Sequence, residues 1–276
     1  MTRYALDSAT PVLTRPDGTV QVGWDPRRAV VVHPPVGLAA PVLADLLRAL
    51  QSVATVPQLE TLVAGRGADA TVVTGLVDRL VASGVLTAAA PAPTQSASVR
   101  VHGDGPLSDL IASALANSGA RVSQSTMAHA GPAHADLAVL TDYLVADPRV
   151  VRELHDARIT HLPVRVRDGI GLIGPLVIPG VTSCLRCADL HRSDKDPAWA
   201  AVATQLCRTV GTADRATVLA TAGLALREIN HVLRAVGGDD DLPASPPATV
   251  DTTLEFDVAA GSLSARRWSA HPQCAC

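Results

Sequence analysis

Aromatic side chains are nearly missing from this chain: three Trp, two Tyr and one Phe make up 2% of 276 residues. The core must therefore be filled by Ala, Val, Leu and Ile, and a hydrophobic content of 47% supplies them. Lysine is scarcer still. Lys195 stands alone, and the other basic residues are arginines. No basic block stands out, the net charge is −3 and the pI is near 6.3. That balance gives no electrostatic support for nucleic-acid or membrane-surface binding. The apolar run from Ala216 to Leu226 is broken by Thr, Gly and Arg, and is too short and polar to span a bilayer. The first residues, Met1 to Gly18, contain no apolar targeting segment, so no signal peptide is expected and the cytoplasm is the default compartment. Charged residues are 18%, too few beside so much apolar content for global disorder. The length allows two domains.

The first ~85 residues read as one small α+β unit. Short strand-like runs at Thr10–Leu13, Val20–Trp24 and Ala29–Val32 are separated by Pro16-Asp17-Gly18 and Asp25-Pro26. Three helical patterns follow, at Leu38–Val53, Val56–Val63 and Ala70–Ser83. The first places Leu43, Leu46, Leu47 and Leu50 on one stripe; the third places Val72, Leu76, Leu80 and Val81 on another, and Gly84 ends it. Gly84-Val85-Leu86 resembles the start of a wing strand, and this order is that of a winged helix-turn-helix domain. The predicted domain covers residues 1–87, and an Ala/Pro/Ser-rich linker covers 88–97.

From residue 98 to 276 strands and helices alternate, which predicts an α/β domain with a largely parallel, doubly wound sheet. Strands are expected at Ser98–His102, from Arg121, at Leu137–Leu140 and at His161–Arg167, with helices at Leu107–Ser118 and Pro148–Ala157. Gly169–Val177 reads as extended. Helices at Pro197–Cys207 and Ala213–Val236 precede a hairpin, Val250–Asp257 with Ser262–Trp268.

Five cysteines in a chain expected to be cytoplasmic argue for metal rather than disulfides. Four form two close pairs, Cys184 with Cys187 and Cys274 with Cys276. Each pair can offer two thiolates from one turn, so the two can complete a closed, structural zinc site tying the C-terminal hairpin to the loop before Cys184. A redox CxxC and unpaired thiols are the alternatives, and His271 is an alternative fourth ligand. Cys207, alone in an apolar helix, reads as a small core residue.

Gly103-x-Gly105-x-x-Ser108 opens the helix after the first strand of the α/β domain, where backbone N–H groups could approach a phosphate. The loop is degenerate. Ser108 takes the third small position, Asp104 adds a negative charge, Asp109 serves the positive end of the helix, and no acidic residue ends the Arg121–Ser125 run to hold a ribose. Asp142, His161, Arg165 and Asp168 lie near strand ends, where α/β sites form, and read equally well as caps and turn residues. Asp189–Trp199 reads as a solvated loop with Asp196 as a helix N-cap. No GxSxG, HExxH or Walker A sequence is present, so no catalytic residue is assigned.

Gly174-Pro175-Leu176-Val177-Ile178-Pro179-Gly180-Val181-Thr182-Ser183-Cys184-Leu185-Arg186-Cys187, then Asp189-Leu190-His191-Arg192 and Asp196-Pro197-Ala198-Trp199, then His271-Pro272-x-Cys274-x-Cys276, together resemble ThiF/MoeB-like (ubiquitin-activating-enzyme-like) proteins. The resemblance is to the actinobacterial branch that partners cyclodehydratases, or binds leader peptides, in azole and azoline (TOMM) peptide biosynthesis. The first unit resembles the PqqD-like peptide-recognition domain of such proteins. The resemblance implies a Rossmann-like sheet, a four-cysteine structural zinc, commonly a homodimer, and a YcaO-type partner that performs the ATP-dependent step. It implies a largely non-catalytic scaffold that presents a leader peptide; with the degenerate loop, ATP and Mg²⁺ are not expected to bind. The alternative is an enzyme that adenylates a peptide or small-protein carboxylate. A DNA-binding regulator is a third reading, but Arg79 is the only base on the Ala70–Ser83 helix. A leader would add as a strand to Val20–Trp24 or Ala29–Val32, with Val20, Val22, Trp24, Leu76 and Arg79 as candidate contacts.

Overall fold

The computed structural model describes residues 2–89, 96–126, 134–236 and 246–276. Compact packing divides the chain into two units, Met1–Ala92 and Pro93–Cys276. Residues 90–95 of the expected linker lie outside the described residues.

The first unit runs β1 (Arg3–Ala5), β2 (Val12–Thr14), β3 (Val20–Val22), β4 (Val30–Val32), α1 (Ala40–Leu50), β5 (Ala54–Thr55), α2 (Val56–Gly65), α3 (Val72–Ala82) and β6 (Thr87–Ala89). The strands form two small sheets, ordered β2-β3-β4 and β5-β1-β6. Between β2 and β3, Gly18 takes a left-handed φ of 79°. Asp17 Oδ1 steadies that turn by accepting the Thr19 N–H at 3.0 Å and its hydroxyl at 2.7 Å. The leucine stripe of α1 is fully buried and shares one core with Val20, Val22, Leu59, Leu76 and Leu80. α2 starts at a capping box, in which the Thr55 N–H donates to Gln58 Oε1 at 2.9 Å. β1 and β5 are additions to the sequence reading. Their two or three residues are too short to show a period. β6 lies where a wing was expected to begin, and it pairs with β1 from the far end of the unit.

The second unit runs β7 (Ser98–His102), α4 (Pro106–Asn117), β8 (Arg121–Ser125), β9 (Leu137–Thr141), α5 (Pro148–Asp156), β10 (His161–Arg167), β11 (Ile170–Ile173), α6 (Leu185–Ser193), α7 (Trp199–Leu206), α8 (Arg215–Val236), β12 (Thr252–Asp257) and β13 (Ser262–Arg267). Its sheet is mixed and ordered β13-β12-β11-β10-β9-β7-β8. β10, β9, β7 and β8 are parallel; β11, β12 and β13 continue as an antiparallel meander. This corrects the largely parallel expectation. Asp168 and Gly169, at φ 52° and 79°, form a two-residue reversal that returns the chain directly beside β10.

Helices cover both faces. On β9, Leu137 and Val139 share a core with Ile111 of α4 and Ile229 of α8, while Ala138 and Leu140 pack with Leu154 of α5 and Leu185 of α6. Glu228, buried on α8, accepts the Thr249 N–H and hydroxyl at 3.1 and 3.0 Å and so fixes the approach to β12. No described helix is long and apolar enough to cross a membrane.

Candidate functional site

The four paired cysteines converge. The Sγ atoms of Cys184 and Cys187 are 3.8 Å apart, Cys184 and Cys274 3.6 Å, and Cys187 and Cys276 3.4 Å. Zinc bonded to sulfur at about 2.3 Å sets the edge of a regular tetrahedron near 3.8 Å, so these spacings fit a four-thiolate ion. Cys207 is elsewhere, its Sγ 3.7 Å from the Ala146 carbonyl oxygen. Burial raises the Cys184 and Cys276 thiols. Burial also opposes ionisation of Cys187, yet the backbone amides of His271 and Cys184 bring it down to about 7. The group could hold one metal ion, and four thiolates would favour Zn²⁺ for its charge and softness.

Local structure builds this cluster from two sides. Cys184 is the N-cap of α6, so Cys187 sits on its first turn. The polar segment from Asp189, read from sequence as loop, is helical to Ser193. Ser183 donates its N–H and its hydroxyl to Asp251 Oδ1, both at 2.7 Å, and thereby ties the CxxC turn to the start of β12. On the other side, His271 is buried and organises the terminal knuckle. Its carbonyl accepts the Cys274 N–H at 2.9 Å, and its Nδ1 accepts the Gln273 N–H at 3.1 Å. That leaves Nε2 as the donor to Asp194 Oδ2 at 2.9 Å. His271 therefore supports the four-cysteine cluster through its backbone, with its ring turned to α6. Arg192 lies 5.1 Å from the Trp199 ring and 4.9 Å from the Trp268 ring, joining α6, α7 and the hairpin.

The glycine loop leads to a second feature. The Asp142 carboxylate, 1% exposed, lies at the amino end of α4. Its Oδ1 accepts the Leu107 N–H at 3.0 Å and its Oδ2 the Ser108 N–H at 3.2 Å. A carboxylate thus occupies the place that a phosphate takes at such a helix end. Gly103 and Gly105 serve this contact. A Cβ on Gly103 would fall 2.0 Å from Thr141 Oγ1, and one on Gly105 2.8 Å from Asp142 Oδ1. Asp109 was expected to satisfy the helix end; Asp142 is the residue bonded there. Ser108 closes the cap, donating its hydroxyl to the Gly105 carbonyl at 2.6 Å.

Three other strand-end residues separate in role. His161 is fully buried; its Nδ1 donates to the Ile159 carbonyl at 3.0 Å, and burial pushes its pKa to about 4. It is a neutral core residue. Asp168 is a turn residue, although it also borders a cavity lined by Arg165.

The candidate peptide contacts divide. β3 is the central strand of its sheet, so Val20–Val22 offers no free edge; β4, within the predicted Ala29–Val32, does. Val20, Val22 and Leu76 are turned into the core and cannot present side chains to a partner. Trp24, 76% exposed, and Arg79 are on the surface. Helix α1 packs against β2 and β3.

The fold is similar to that of a heterocyclase solved in complex with substrate and cofactor, at 17% identity over 100% of this chain and 39% of that chain, TM-score 0.66. It is also similar to the heterocyclase TruD, at 20% identity over 100% of this chain and 42% of that chain, TM-score 0.64. E. coli MccB with MccA-N7isoASN matches at 14% identity, covering 100% of this chain and 99% of that chain, TM-score 0.56. The chain thus spans about two fifths of the two heterocyclases, and these likenesses are of fold. No protein-family model and no curated protein sequence matches it.

Proposed function

We propose that the chain is a leader-peptide-binding scaffold of the ThiF/MoeB-like class that presents a ribosomal precursor peptide to a partner cyclodehydratase of YcaO type. The observation that carries this reading is the Asp142 carboxylate on the Leu107 and Ser108 amides, which fills the anion position of the glycine loop. A nucleotide phosphate there would meet a fixed negative charge instead of free donors. The likeness of fold to two heterocyclases, of which this chain spans about two fifths, supports a place in peptide heterocyclisation. On this reading the first unit is the PqqD-like, winged-helix-like recognition module, the second a Rossmann-like platform stiffened by structural zinc, and the assembly a cytoplasmic homodimer.

The leader would pair with the free edge of β4. Val30 and Val31 are exposed there, and Trp24 stands before that strand. Main-chain bonds along the edge supply affinity, and the exposed apolar side chains select sequence. Calorimetry with leader peptides encoded beside this gene tests the reading: saturable binding by one of them is expected, and binding by none overturns it.

A second reading is adenylation of a peptide carboxylate. It is favoured by the likeness to E. coli MccB, which was solved with ATP and matches over 99% of its length at TM-score 0.53. Pyrophosphate exchange dependent on an added peptide would decide for it.

A further inference from the structure

The second unit contains a cavity of about 710 Å³, within the range that accepts a small-molecule or short-peptide ligand. Leu144, Val151, Leu185 and Leu206 give it apolar walls, and Trp199 closes one side. Its basic and acidic side chains are five arginines, at 152, 165, 167, 186 and 192, and two aspartates, at 168 and 189, and Cys184, Cys274 and Cys276 of the cysteine cluster line it as well.

The arginines are not equivalent. Arg192 is bonded to Asp189 at 2.9 Å, and Asp189 also accepts the Trp199 indole N–H at 3.3 Å. Arg167 pairs with Glu255 at 3.7 Å. Arg165 lies deep in the unit, keeps part of its surface open to the cavity, and makes no hydrogen bond or ion pair with any described residue. Burial, with Arg192 and Arg167 nearby, pushes its pKa to about 10, so it remains charged at neutral pH. The Arg165 guanidinium, open to the cavity and without a partner among the described residues, is left free to donate to a ligand there.

We propose that this cavity binds a carboxylate carried on an apolar body, held by the Arg165 guanidinium. Arg152 and Arg186 are exposed, which leaves Arg165 as the deeper cation, and the planar fork of Arg fits a carboxylate through two parallel bonds. The site is separate from the β4 edge of the first unit and does not depend on the leader-peptide reading.

The test uses the zinc-loaded full chain and calorimetry with three probes, supported by Trp199 fluorescence. Octanoate represents free acids, acetyl-Leu-Leu-Glu-amide a peptide carboxylate, and acetyl-Leu-Leu-Gln-amide the neutral counterpart. One or both carboxylates bind at one site per chain, and the Gln peptide binds at least about tenfold more weakly than the Glu peptide or not at all. Octanoate alone assigns the source to free acids; the Glu peptide, with or without octanoate, assigns it to peptides. Arg165→Met removes the carboxylate affinity while zinc content stays at the wild-type value. Should that variant not fold, Arg165→Lys, which keeps the charge and loses the fork, weakens binding several-fold. No saturation by either carboxylate below about 1 mM, equal binding of the neutral peptide, tighter competition by inorganic phosphate, or an unchanged affinity in the folded variants overturns the proposal.

Discussion

Asp142 Oδ1 accepts the backbone N–H of Leu107 at 3.0 Å across 35 positions of sequence. This contact converts a loop suited to phosphate into one closed by the protein's own carboxylate. Asp142 reaches it from a left-handed backbone, φ 68°, directly after β9. Replacing it with Ala leaves two buried N–H donors without acceptors. The expected loss is about 2–3 kcal/mol, read from urea denaturation; a loss below about 0.5 kcal/mol would mean the amides find water or another partner.

Gly105→Ala tests the same contact from the other side. The added Cβ lies 2.8 Å from Asp142 Oδ1 and 2.9 Å from its Cγ, so the carboxylate must withdraw. The variant is expected to lose about 1–3 kcal/mol of stability, and the double variant Gly105→Ala/Asp142→Ala to lose less than the sum of the two. Strict additivity would show that the glycine serves something other than this approach.

Zinc content separates ligands from bystanders. One zinc per chain is expected by elemental analysis, abolished by Cys184→Ser or Cys187→Ser and unchanged by Cys207→Ser. His271→Ala keeps all four thiols and removes the ring that anchors the knuckle to Asp194 at 2.9 Å. Its zinc affinity is expected to fall about 10–100-fold. Unaltered affinity would assign the orientation of the knuckle to the backbone alone.

His161 predicts a pH dependence. Its pKa in the folded chain is about 4, below the ordinary histidine value of 6.5, because burial disfavours the cation. The unfolded chain therefore binds the proton first as pH falls. The contribution is complete above pH 6.5 and is lost between 6.5 and about 4. It amounts to about 3 kcal/mol. Protonation of thiolates on a bound zinc would act in the same direction, so the comparison is with His161→Gln, whose stability curve should be flatter over that interval. Parallel curves would remove His161 as the cause.

Trp24 is exposed and so can be changed without disturbing the core. Trp24→Ala should leave the melting temperature within a degree or two. For a leader peptide that binds the first unit, affinity should fall at least about tenfold. Equal affinity would move the recognition surface away from β4.

The sequence by itself determined the elements with a long period or a fixed local signal. The leucine stripe of α1, the strands at Ser98–His102 and His161–Arg167 and the terminal hairpin follow from side-chain periodicity, which the backbone repeats locally. Two close cysteine pairs carried the zinc reading for the same reason: thiolates a few residues apart on one turn already lie near one ion. Tertiary structure decided what depends on partners distant in the chain. Asp168 read only as a cap or turn residue; that the chain reverses there and turns part of the sheet antiparallel follows from β11 pairing with β10 and β12. That Val20–Val22 is central, and so has no free edge, follows only from β2 and β4 pairing with it on either side. Asp142 illustrates the division most sharply. Its sequence position marks a strand end, but the helix end it neutralises is brought to it by parallel pairing of β7 and β9, and no local pattern encodes that meeting.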